Sequence, residues 1–164
     1  MRRNEVDSSN AVGQKTLNMI FREATIQDIP QIQIVRNAVK ENRLSNPALV
    51  PDEDVEDYIT RRGKGWVCTI HDVVVGFSIV SITDTNVWAL FIHPDHEAKG
   101  IGKRLHDEMM NWYFNKTDAD IWLSTAPGTR AESFYRRAGW RNTGMTKSGE
   151  VKFEMTSDEW KNLS

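Results

Sequence analysis

Residues Val87–Leu105 read VWALFIHPDHEAKGIGKRL. An apolar run stops at His93-Pro94-Asp95. After a short polar stretch, Gly100-Ile101-Gly102 opens a segment in which Leu105, Met109 and Trp112 recur at helical spacing. Val87, Leu90, Phe91 and Ile92 suit a strand covered on both faces. Pro94 ends it, because it has no N–H to give a ladder and restricts the residue before it. The stretch therefore predicts strand, turn and helix. Glycine lets a backbone approach a ligand closely, and the first N–H groups of a helix have no partner within it. The turn is thus a candidate site for a phosphate or pyrophosphate, bound by backbone N–H groups of Lys99, Gly100, Ile101, Gly102 and Lys103. The side chains of Lys99, Lys103 and Arg104 surround it. Cations at a helix start oppose the helix dipole, and a bound phosphate would offset that cost.

The turn is not a Walker loop, since Arg104 stands where Ser or Thr would hold magnesium. Nor does it complete a dinucleotide fingerprint, since Leu105 occupies the place of the third glycine. A second stretch, Ile121–Trp140, reads IWLSTAPGTRAESFYRRAGW. Together the two resemble motifs A and B of the GNAT N-acetyltransferase superfamily. Motif A is an apolar strand ending in x-Pro, then [Arg/Gln]-x-x-Gly-x-[Gly/Ala]; here it runs Glu97-Ala98-Lys99-Gly100-Ile101-Gly102. Glu97 replaces the usual Arg or Gln and is expected to point away from a pyrophosphate. Motif B places Ala131, Phe134, Tyr135, Gly139 and Trp140 in order after a strand and loop, with Gly128 where many members carry Asn. The resemblance runs from Phe21 to Thr156.

The 164 residues carry a formal charge of −2, which argues against a generic nucleic-acid partner. The single Cys68 excludes an internal disulfide framework and a Cys zinc site. His96 and His106 lack partners at metal-ligand spacing, and His71 and His93 flank turns as surface imidazoles, so no metal is expected. No apolar run is long enough to span a bilayer, and the polar N-terminus has no signal-peptide core. These features lead us to expect a cytoplasmic protein with no membrane partner. Residues 1–18 are expected to be a flexible polar segment, and 19–164 a single N-acetyltransferase domain.

Met19–Ile26 reads as a strand. A helix follows to about Lys40, with Asp28 as N-cap and Ile29, Ile32, Val35 and Val39 inward. Asn42–Val50 is a loop and Pro51–Arg62 a second helix. Trp66–Ile70 and Val73–Ile82 pair around His71-Asp72. Beyond the helix that opens at the Gly-x-Gly come a strand over Asp120–Ser124, a helix over Thr129–Ala138 closed by Gly139, and a hairpin of Arg141–Thr146 with Val151–Thr156. The order β-α-α-β-β-β-α-β-α-β-β predicts a mixed α/β fold. It is also the order of the GNAT fold, with about seven strands and four helices.

The resemblance implies acetyl-CoA as cosubstrate, a small-molecule or peptide primary amine as acceptor, and possible homodimerisation. In the family, pantetheine inserts between splayed fourth and fifth strands. This implies backbone contacts at Leu90, Phe91 and Ile92. Tyr135 matches the family's frequent general acid, and it would donate a proton to the leaving thiolate; its plain alternative is a buried aromatic. The fourth-strand Glu used as base by some members corresponds to a position near Asn86, which cannot act as one. Asp84 is a candidate base, or else a turn residue. Glu53 and Asp54 are candidates for attracting a cationic amine, or else complement a helix N-terminus. Trp88, two residues before Leu90, is a candidate wall of the acceptor pocket. A non-catalytic acyl-CoA-binding module of the same fold is the rival function.

Overall fold

The computed structural model describes residues 18–39 and 50–163. One sheet holds seven strands: β1 (Met19–Glu23), β2 (Gly63–Ile70), β3 (Val73–Ser81), β4 (Asn86–Ile92), β5 (Ile121–Thr125), β6 (Arg141–Met145) and β7 (Val151–Met155). The helices are α1 (Ile29–Ala38), α2 (Asp52–Asp57), α3 (Ile101–Lys116), α4 (Arg130–Arg137) and α5 (Ser157–Lys161), and a π-helical turn over Tyr58–Arg62 continues α2. The sheet order is β1-β2-β3-β4-β5-β7-β6. Neighbours are antiparallel except β4 and β5, which run parallel. The element order is the expected one, with five helices described instead of four. The added α5 is set by a capping box: Thr156 Oγ1 accepts the Glu159 N–H (3.1 Å), and Glu159 Oε1 accepts the Thr156 N–H (2.8 Å). Residues 1–17, the end of the first helix at Lys40 and most of the Asn42–Val50 loop lie outside the described residues.

Two apolar layers sandwich the sheet. Leu105, Met109 and Tyr113 of α3 and Tyr135 of α4 pack on one face. Ile32 and Val35 of α1, with Val55 and Ile59, pack on the other. The β2–β3 hairpin turns at His71 and Asp72, both left-handed (φ 51° and 68°), the pairing that matches strand twist.

Asp28 does not cap α1 with its side chain. Its carboxylate turns back to accept the Thr25 N–H (2.8 Å) and a two-pronged bond from Arg22 (2.8 and 2.9 Å), and β1 accordingly ends at Glu23 instead of Ile26. The Arg22 fork holds the buried Asp28 carboxyl below the usual carboxylate range. Asp28→Asn should cost about 1–2 kcal/mol at neutral pH. The depressed native pKa means this stability is present above the unfolded carboxyl's pKa of about 3.9 and is lost as pH falls through the lower native value. Thermal unfolding of both proteins from pH 7 to pH 2 should show their melting curves converging.

Candidate active site

Strands β4 and β5 pair only at Asn86 opposite Trp122 and then part. From Val87 onward the β5-facing edge of β4 has no strand partner among the described residues. The gap opens into a cleft of about 1150 Å³, room for a ligand far larger than a phosphate. Leu90, Phe91 and Ile92 line it from β4, Gly100–Lys103 from the start of α3, and Phe134 and Tyr135 from α4.

A bulge sets which side chains point where. Ile79 faces Ala89 and Val80 faces Val87 across the β3–β4 ladder, so Trp88 is an extra residue. Val87 packs toward α3, Trp88 and Ala89 both toward α1 and α2, and Leu90 again toward α3.

Gly100 begins α3 in the left-handed region (φ 80°), and Ala98 just before it is left-handed too (φ 65°), a strained conformation for a residue with a Cβ. The Arg104 N–H bonds Gly100 O (3.2 Å). The N–H groups of Ile101, Gly102 and Lys103 therefore have no intrahelical partner, and all three residues line the cleft. A Cβ at Gly102 would sit 3.6 Å from Phe134 Cε1 and 3.7 Å from Ile92 Cγ1, in ordinary contact with both. Glu97 does not turn away: it lines the cleft, and its carboxylate lies 3.5 Å from Arg130 Nε at the start of α4, which answers its charge.

Tyr135 is buried among Phe134, Trp140, Phe153 and His106. Burial raises the pKa of its hydroxyl. Among the described residues that hydroxyl has no hydrogen-bond partner. His106 is buried, not solvent-facing: its Nε2 accepts the Trp140 indole N–H (2.9 Å) and its Nδ1 meets Asp107 Oδ1 (2.9 Å). An indole only donates, so Nε2 is the bare nitrogen and Nδ1 carries the hydrogen toward Asp107.

The acetyltransferase (GNAT) domain family matches residues 61–142. The chain belongs to this family. No curated protein matches it. Among solved structures, this GNAT chain is similar in fold to the PaiA N-acetyltransferase of Thermoplasma acidophilum in complex with coenzyme A. That pair is 17% identical over 85% of this chain and 99% of the other, at a TM-score of 0.73. It is similar as well to the YncA protein of Salmonella typhimurium with its cofactor acetyl-CoA, 17% identical over 86% and 95% at 0.72. The ribosomal-protein-S18-alanine N-acetyltransferase of Escherichia coli is 15% identical over 84% and 91% at 0.65.

The cleft of this GNAT protein does not gather every expected residue. Arg104 is engaged elsewhere, with Glu108 (3.3 Å) and over the Phe21 ring (4.5 Å). Lys103 lines the cleft but bonds Asp107 (2.7 Å). The Lys99 ammonium meets His96 Nδ1 (3.2 Å). Asp84, expected as a base, is at the far end of β4, bonded by Arg62 Nη2 (3.0 Å to each oxygen), Tyr58 OH (3.2 Å) and Ser81 Oγ (3.1 Å). Arg62 foremost lowers its pKa, which suits a structural carboxylate and not a proton acceptor. Trp88 does not share a face with Leu90, because the bulge sends its ring to stack on Tyr58 at 4.0 Å. Glu53 and Asp54 are exposed on the first turn of α2. Arg36, Ala98 and Arg130 belong to no motif or period that marks them in the sequence. Asn86, an amide that cannot act as a base, has its Oδ1 buried with no partner among the described residues. Among the described residues no His, Cys, Asp and Glu cluster fits a metal, and no helix is long and apolar enough to cross a membrane.

Proposed function

We propose that the protein transfers the acetyl group of acetyl-CoA to a primary amine of a small molecule or peptide. The parted β4–β5 edge, with three unpartnered N–H groups at its end, carries this reading. A pantetheine arm has amides that bond along a free strand edge, here the backbone of Leu90 and Ile92. The pyrophosphate takes the N–H groups of Ile101, Gly102 and Lys103. The fit is supported by the cleft's volume.

In the reaction the amine lone pair forms a bond to the thioester carbon. The C–S bond breaks with its electron pair on sulfur, and the new amide sheds a proton to water. Tyr135 lines the cleft, and among the described residues no group bonds its hydroxyl. Its pKa, raised above about 10, exceeds a thiol's of about 8.5, so full proton transfer to the thiolate is uphill. The hydroxyl therefore acts by donating a hydrogen bond to the charge developing on sulfur. Glu53 and Asp54 supply a negative rim for the incoming ammonium, which gives one proton to water before its freed lone pair attacks.

The test is release of free CoA thiol from acetyl-CoA in the presence of a panel of amines, with the product confirmed by mass. The name of the Escherichia coli neighbour puts a peptide with N-terminal alanine on that panel. Amine-dependent thiol release is expected. Tight acetyl-CoA binding with no amine-dependent release across the panel would overturn transfer and leave an acyl-CoA-binding module.

Lys103 and Arg104 now separate. Lys103→Ala should weaken CoA about threefold more than dephospho-CoA, an excess that shrinks in high salt. Arg104→Ala should leave that ratio unchanged. Calorimetric titration with both ligands reads it, and equal losses for Lys103→Ala would show that Lys103 does not meet the 3′-phosphate.

A further inference from the structure

Arg36 has no place in the mechanism above, yet it is the most unusual charge in the fold. It sits in the last turn of α1. Its guanidinium carbon is 5.1 Å from the Trp88 ring centroid and 5.1 Å from that of Phe91, so it is clamped against two aromatics of β4. Its Nε is buried with no hydrogen-bond partner. Among the described residues no carboxylate and no carbonyl meets the guanidinium. Arg22, Arg62, Arg104 and Arg141, by contrast, each meet a carboxylate within 3.3 Å. Burial with no compensating anion draws its pKa down to about 10, which still leaves it cationic at neutral pH.

Its position gives the unmet charge a direction. Phe91 lines the cleft, and so does Val39, which follows the end of α1. Arg36 lies directly behind these two on the α1 side, packed on the Phe91 ring beside the bulge at Trp88. The phosphate groups of a CoA bind at the other end, at the start of α3. A guanidinium has five donors in a planar fork, and its natural complement is a carboxylate; that of Arg36 is half-buried, with its Nε fully so. Burying its Nε with no acceptor among the described residues costs stability, and an anion brought by a ligand would offset that cost.

We infer that Arg36 binds a carboxylate on the acceptor, so that the amine acetylated here belongs to an amino-acid-like molecule carrying both an amine and a carboxylate. The inference rests on the acetyl-transfer reading for the identity of the amine, but the carboxylate contact is measurable without turnover.

The experiment pairs a panel of L-amino acids with the matching amino-acid amides, which keep the amine and side chain but lose the negative charge. Acetylation kinetics are measured for the wild type, Arg36→Gln and Arg36→Lys. Wild type should prefer the acids. Arg36→Gln should raise KM for the acids about tenfold with kcat little changed, and leave the amides unaffected. Arg36→Lys should restore part of the preference, because it keeps the charge but not the fork. Taking the ratio of acid to amide within each protein cancels the different basicities of the two amines. An unchanged CoA affinity shows that each variant is folded. Equal losses for acids and amides, or a wild type with no preference, would overturn the assignment. If no amine is acetylated at all, the transfer reading fails and the second arm decides the first question. In that arm, L-amino acids should raise the melting temperature of the CoA-bound wild type but not of CoA-bound Arg36→Gln. A shift that survives in Arg36→Gln, or is absent from wild type, excludes the carboxylate contact.

Discussion

Turnover of Tyr135→Phe is expected to fall about a hundredfold, with acetyl-CoA affinity and melting temperature nearly unchanged. The ring is one of the buried aromatics between α4 and the sheet, against Trp140 and Phe153. Phenylalanine keeps that packing and removes only the oxygen. A buried tyrosine ordinarily finds a partner for its hydroxyl, and among the described residues this one has none. The unmade bond faces the cleft, where sulfur gains charge only as the C–S bond breaks. A donor aimed there acts on the transition state more than on the bound substrate, so the loss belongs in kcat. The raised pKa adds a second check: the hydroxyl stays protonated past neutrality, so the Tyr135-dependent part of the rate should hold as pH rises toward 10. Intact turnover with lowered stability would make Tyr135 a core residue. If neither changes, water stabilises the thiolate and the assignment falls.

That expectation was largely written in the sequence, and the reasons separate what is legible from what is not. Strong period-two alternation places β7: Val151, Phe153 and Met155 are buried while Lys152 and Glu154 are not. The Gly-x-Gly turn is legible because its backbone conformation needs glycine at position 100. The bulge at Trp88 has no local marker, since neither glycine nor proline attends it, and one extra residue reverses the face of everything before it. Asp84 reads as a loop carboxylate free to take a proton, because its captor Arg62 lies 22 residues away and only the fold brings them together. His106 looks isolated for the same reason: Trp140, which fixes its bare nitrogen, is 34 residues on. Arg36 is the reverse case. Its significance is a partner absent among the described residues, and no spacing rule encodes that. The α5 helix was legible in Thr156-x-x-Glu159, but five residues are too few for an apolar period to register.

Gly102→Val should raise the dissociation constant for CoA about thirtyfold, close to 2 kcal/mol, in a protein that still folds. Gly102 is the sharper target of the two glycines. Gly100 is left-handed with nothing within 4 Å of a built Cβ, so a valine there would strain the backbone without blocking the cleft, and lost binding would have two causes. Gly102 is an ordinary helical residue whose Cβ meets Phe134 and Ile92 at 3.6 and 3.7 Å, which is normal contact. A valine's branches would add bulk where Gly102 lines the cleft at the first turn of α3. They keep a ligand's phosphate from reaching the N–H groups of Ile101, Gly102 and Lys103, and a hydrogen bond to a charged group is worth about 1.5–3 kcal/mol. Gly102→Ala is the graded control: alanine favours the helix by about 1 kcal/mol, so melting temperature should hold or rise while CoA affinity falls by less. Calorimetric titration with CoA, beside thermal unfolding of each variant, separates binding from folding. A folded Gly102→Val that binds CoA as tightly as wild type would show that the phosphates do not rest on the start of α3, and the candidate site would have to be sought elsewhere in the cleft.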